Sequence, residues 1–91
     1  TAGTMKKACV TAINEGGRIF AICATHGLFC GNANDTLSEL DAKIIIADTV
    51  DPWRLNSDNL RKVHVVETNH MVADAIYRIH SGTGSLSELL K

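Results

Sequence analysis

The chain has 91 residues, which is room for one domain. Nine Lys and Arg against ten Asp and Glu leave a formal charge of −1 and a pI near 6.4, which argues against a basic nucleic-acid surface. Hydrophobic residues make up 45% of the chain, enough for a packed core. The most apolar stretches, 18–24 and 43–47, fall well short of the ~20 residues that a membrane-spanning helix needs.

The chain opens on Thr1 rather than Met and has no charged-then-apolar leader, so no signal peptide is expected. The three cysteines are an odd number at no framework spacing. Reduced thiols and a cytoplasmic location are the expectation that follows. A domain this small buries a limited share of its surface, so the chain is expected to be a piece of something larger.

Residues 4–15 read as a helix. Met5, Ala8, Cys9, Ala12 and Ile13 recur at helical spacing on one face, with Thr4 as N-cap and Gly16-Gly17 as the stop. Residues 18–24 are nearly continuously apolar and read as a strand buried on both faces. Thr25 to Gly31 is a loop. Residues 32–38 read as a short helix capped by Asn32, with Ala33, Leu37 and Leu40 facing inward.

Lys43-Ile44-Ile45-Ile46-Ala47-Asp48 is a second buried strand, because three consecutive β-branched residues disfavour helix. The connection 49–61 holds the only Pro and the only Trp, and is either a short helical turn or functional. Residues 62–67 form a third strand. Residues 71–80 form a helix with Met71, Val72, Ala75, Ile76 and Ile79 as its buried stripe, and 85–90 a last short turn. The order α-β-α-β-β-α predicts an α/β fold with a mostly parallel sheet flanked by helices. Three strands apolar on both faces need more cover than this chain supplies, so a partner is expected.

Several residues could carry chemistry. Thr1-Ala2-Gly3-Thr4 opens a helix, where unpaired N–H groups and the dipole favour a phosphate; the alternative is a plain cap. His26 follows the first strand, at the carboxyl end where open α/β sheets hold ligands; it either serves a site or bonds the loop backbone. Asp48-Thr49 ends the second strand, binding substrate or capping the turn. Cys23, His26 and Cys30 lack the spacing of a metal site, and no metal is expected here. His64, His70 and His80 are scattered and read as structural. Pro52-Trp53 anchors the long loop or an interface. The stretch 81–87, with Gly82, Thr83, Gly84, Ser85 and Ser87, is an anion-holding turn or a polar linker.

Taken together, several stretches resemble the C-terminal part of the ribose-phosphate pyrophosphokinase family. Thr1-Ala2-Gly3-Thr4 is similar to the end of its Asp-Thr-Ala-Gly-Thr ribose-5-phosphate loop. Ala24-Thr25-His26-Gly27-Leu28-Phe29-Cys30-Gly31 resembles Ala-Thr-His-Gly-x-Phe-Ser-Gly, with Cys30 in place of Ser. The run 45–50 resembles the family's strand ending in Asp-Thr-Ile, and the run 73–80 its Ala-Glu-Ala-Ile-Arg-Arg-Ile-His helix. Gly84-Ser85-Leu86-Ser87 matches its Gly-x-Ser-x-Ser ending approximately. The matches run through the whole chain in order.

The resemblance implies a type I phosphoribosyltransferase-like domain, of which residues 1–91 are the C-terminal part, the N-terminal portion being absent. It implies an enzyme that moves diphosphate from ATP to ribose 5-phosphate with Mg²⁺, forming phosphoribosyl pyrophosphate in the cytoplasm. Thr1, Ala2, Gly3 and Thr4 would bind the 5-phosphate, His26 would lie in an active-site loop, and Ser85 and Ser87 near a regulatory phosphate. No catalytic residue falls in this segment. Mg²⁺ would be held mainly by upstream residues, so the segment alone is expected to be inactive. A homo-oligomer, a hexamer in the family, is implied, with no nucleic acid and no membrane. The alternative is a non-catalytic regulatory or assembly homologue of the synthetase.

Overall fold

Short runs rich in β-branched and small apolar residues become the three strands: β1 (Ala21–Ala24), β2 (Lys43–Ala47) and β3 (Val63–Val66). A computed structural model describes residues 2–82 and 84–90; Thr1 and Thr83, both named above, lie outside the described residues. The strands pair in parallel in the order β1-β2-β3. The register sets Ile22 beside Ile44 and Val63, and Cys23 beside Ile45 and His64. The helices are α1 (Gly3–Asn14), α2 (Ala33–Ser38), α3 (Ser57–Leu60) and α4 (Asn69–Ser81), followed by a 3₁₀ turn at Leu86–Leu90.

The core lies on one side of the sheet. Ile22, Ile44 and Ile46 share a face because side chains alternate along a strand. They pack with Cys9 of α1, Leu37 of α2 and Leu55 of the β2–α3 loop, with Met5, Ile19, Phe29, Leu40 and Val63 around them. Ala33 and Leu37 are buried and Leu40 half-buried, as the spacing predicted. Lys62 closes this layer: its ammonium donates to the carbonyls of Leu37 (2.8 Å) and Leu40 (2.9 Å), at and just beyond the end of α2.

The opposite face is bare, which corrects the expectation of strands buried on both sides. Cys23, His64 and Val66 are exposed and Ile45 is half-buried. Phe20, just before β1, is 76% exposed, with the Lys43 ammonium 4.9 Å from its ring centre. The strands were legible, but the cover of their second face was not, because strand propensity is local and cover is not.

The buried stripe expected on α4 is also corrected. Met71, Val72, Ile76 and Ile79 are 46–70% exposed, and no residue of α4 is buried. The stripe packs with Leu86 and Leu89 of the terminal turn rather than on the sheet. This arrangement stretches the molecule: the radius of gyration is 16.6 Å, against about 12 Å for a compact chain of this length. On α1, only Cys9 is buried; Ala8 and Ile13 of the predicted face are exposed. Among the described residues, no helix is long and apolar enough to cross a membrane.

Candidate functional site

The parallel sheet sends Thr25-His26, Asp48-Thr49 and Thr68-Asn69 off the same carboxyl edge, one pair per strand. His26 Nδ1 lies 2.7 Å from Thr49 Oγ1. Asp48 accepts from the Thr68 hydroxyl at 2.6 Å and from the Asn69 N–H at 3.2 Å, at the start of α4. These side chains tie the three loops together, and the sequence had flagged His26, Asp48 and Thr49 but not Thr68.

The Thr68 hydroxyl's hydrogen bond holds the Asp48 carboxyl below its ordinary value of 3.8, outweighing desolvation, and the Thr68 and Asn69 N–H groups add smaller effects in the same downward direction. The folded value is depressed, so this contribution to stability is complete above the unfolded value of 3.8. It is lost as pH falls through the folded value. Asp48→Asn is expected to flatten that acid limb, read by urea midpoints between neutral pH and strong acid.

Beside this edge lies a cavity of about 250 Å³ between α1, β1 and the 26–29 loop. Its wall is mostly apolar, including Met5, Ile22, Phe29 and Ile46; Cys23 and His26 are its titratable members. Ala2 and Phe29 also line it, at φ +68° and +51°. They are the two non-glycine residues with left-handed backbone among the described residues, a conformation that costs energy and gathers at functional sites.

Ala2 is the N-cap of α1, not Thr4, and makes no side-chain cap bond. The helix starts one residue earlier than predicted because Ala2 turns left-handed and its carbonyl takes the first intrahelical bond, from Lys6 N–H at 2.9 Å. The N–H groups of Gly3, Thr4 and Met5 have no partner within the helix. Asn32 is the N-cap of α2, also without a side-chain bond.

Gly27 shapes the same wall. A Cβ there would sit 2.6 Å from the Phe29 ring and 3.0 Å from Ile46 Cδ1. Gly27→Ala is expected to displace Phe29 and to cost about 1–3 kcal/mol, checked by denaturant unfolding.

A polar network missed by the sequence reading braces the loops. Asn34 Nδ2 donates to the Arg54 carbonyl (2.9 Å), Asn56 N–H donates to Asn34 Oδ1 (2.9 Å), and Arg54 Nη1 donates to the Leu28 carbonyl (3.0 Å). Arg54 also lies over the Trp53 ring, 4.4 Å from its centre, and Trp53 stays exposed, so the long loop is anchored by buried Leu55 and by the hydrogen bonds of Arg54 and Asn56 rather than by Trp53. Part of that loop is the helical turn α3.

The other flagged residues lie apart. His64 is exposed on the bare sheet face, and His70 and His80 at opposite ends of α4. Ser85 and Ser87 are brought together, with their hydroxyls 2.8 Å apart, and Arg78 Nη1 donates to the Ser85 carbonyl at 3.2 Å. Cys23, His26 and Cys30 form no cluster. Among the described residues, no three His, Cys, Asp or Glu side chains gather to hold a metal ion.

A parallel α/β unit with its polar residues gathered at the carboxyl strand edge is the class of protein these features define. The family follows from comparison. Residues 3–91 match the model of the phosphoribosyl synthetase-associated domain, and the chain belongs to that family. Relatives include ribose-phosphate pyrophosphokinase 2 of Saccharomyces cerevisiae, 33% identical over 82 residues, covering 90% of this chain and 25% of the relative. The ribose-phosphate pyrophosphokinase of Aquifex aeolicus is 34% identical over 90 residues, covering 98% of this chain and 28% of the relative. That of Caldanaerobacter subterraneus is 36% identical over 91 residues, with the same coverage of 98% and 28%. The chain thus spans about a quarter of the curated relatives that it matches.

Proposed function

We propose that this chain supplies the 5-phosphate-binding part of a ribose-phosphate diphosphokinase. The observation that carries the reading is the pairing of left-handed Ala2 and Phe29 across one cavity, at the start of α1. A left-handed cap ahead of three N–H groups without partners in the helix suits a phosphate, and Ala2, Gly3 and Thr4 resemble the family's loop. Backbone donors would fix the sugar phosphate, and His26 would face its hydroxyls. Diphosphoryl transfer depends chiefly on such positioning. ATP, Mg²⁺ and the carboxylates for the ribose hydroxyls would be bound by the rest of a longer protein. That protein would be a cytoplasmic homo-oligomer in which the bare sheet face is covered. Ser85 and Ser87, beside Arg78, would take a regulatory phosphate.

A second reading, a non-catalytic module, is favoured by the description of the matched family as synthetase-associated. Calorimetric titration separates the two. Ribose 5-phosphate is added to the chain alone and to the chain mixed with the segment that precedes it in its relatives. Binding of ribose 5-phosphate but not ribose, weakened at least tenfold by Gly3→Asp, is expected for the substrate site. No binding in either sample, with the segments shown to associate, would leave the module.

A further inference from the structure

We propose that Thr49 is a positioning residue that holds His26 as the Nδ1–H tautomer and so presents Nε2 as a hydrogen-bond acceptor to a sugar hydroxyl. The inference rests on the ribose 5-phosphate reading for the ligand, but not for the tautomer. Thr49 Oγ1 has two polar neighbours: His26 Nδ1 at 2.7 Å and the Thr25 carbonyl at 3.4 Å. A carbonyl only accepts, and a hydroxyl carries one hydrogen. Both contacts are satisfied together in one arrangement. Thr49 donates its hydrogen to the Thr25 carbonyl, and His26 Nδ1–H donates to Thr49 Oγ1. In a neutral imidazole the other nitrogen is then a bare acceptor.

The backbone makes this contact repeatable. Ala47 N–H donates to the same Thr25 carbonyl at 3.2 Å, which fixes the end of β2 against the end of β1. Thr49 is two residues further along, and His26 is the residue after Thr25. His26 and Ala2 both line the cavity, and the functional reading puts the phosphate at Ala2. Its bonded nitrogen faces Thr49, so Nε2 is the atom left for a ligand. An acceptor there suits a hydroxyl donor and does not suit a phosphate oxygen.

The test is long-range ¹H–¹⁵N correlation of the histidine rings in the 91-residue protein, with the neutral ring observed. His26 is assigned by comparison with His26→Gln. The wild type is expected to show Nδ1 protonated and Nε2 bare. Thr49→Ser should keep that pattern, and Thr49→Val should reverse it. Addition of ribose 5-phosphate should shift Nε2, and Thr49→Val should weaken its binding about tenfold, the loss expected for one hydrogen bond. A wild-type ring protonated at Nε2, or a pattern unchanged in Thr49→Val, overturns the proposal whether or not the sugar binds. Bound ribose 5-phosphate that leaves Nε2 unmoved overturns it too. If ribose 5-phosphate binds neither the chain alone nor the chain associated with the preceding segment, the functional reading fails, and the spectrum of the free protein still decides the role of Thr49.

Discussion

Leu37→Ala is expected to destabilise the protein by about 2–5 kcal/mol, the range for emptying a buried leucine site. Leu37 is 1% exposed and packs in the cluster of Cys9, Ile22, Ile44, Ile46 and Leu55. It also lines the cavity beneath α1, so truncation enlarges a void that already exists instead of letting the walls close. A small domain has a total stability of only about 5–15 kcal/mol, and this one covers just one face of its sheet. The variant should therefore lose a large share of the total stability. Urea unfolding, with unchanged slope and a lower midpoint, is the check. Ile79→Ala is the control. Ile79 is 70% exposed on α4, so its loss should stay within about 0.5 kcal/mol. An equal effect of the two would show that α4 is covered in solution.

That control marks the line between what the sequence revealed and what it hid. The strands were legible because Ile44-Ile45-Ile46 and Val63-His64-Val65-Val66 favour extended backbone locally. The helices α1 and α4 were legible from apolar spacing and from the glycines that follow them. Burial was not legible. Met71, Val72, Ala75, Ile76 and Ile79 carry the spacing of a covered stripe, and spacing records the cover a helix is built for, whether or not this stretch of chain contains it. The same holds for the outer face of β1 and β2. At the candidate site, the closeness of His26, Asp48 and Thr49 was legible because parallel strands bring the loops at their carboxyl ends to one edge. Thr68, Lys62 and the Asn34 network were not found. Each acts on a partner some 20 or more residues away, as in Thr68 to Asp48 and Lys62 to Leu37. No local pattern marks such a pair.

Asn59 shows what one of these distant pairings contributes. It is fully buried, and its amide nitrogen lies 3.0 Å from the Asn34 carbonyl, 3.1 Å from Asn34 Oδ1 and 3.4 Å from Ser38 Oγ. The Ser38 hydroxyl already donates to the Asn34 carbonyl at 2.7 Å, so it meets Asn59 as an acceptor. The amide oxygen of Asn59 has no protein partner. Every neighbour of this side chain therefore asks it for a hydrogen. Asn59→Asp keeps the shape and removes the donor. One carboxylate oxygen would face three acceptors and the other would face nothing. An uncompensated buried charge costs about 3–5 kcal/mol, so this variant should be less stable than Asn59→Ala, which loses about 1–3 kcal/mol. The sign with pH is also fixed. Burial raises the carboxyl's folded value above its unfolded one, so the penalty is complete at neutral pH and shrinks as the group is protonated. Urea midpoints at neutral and mildly acidic pH should bring Asn59→Asp toward Asn59→Ala as the pH falls. A gap that is independent of pH would mean that the carboxylate has found water or a donor, and that the site is not sealed.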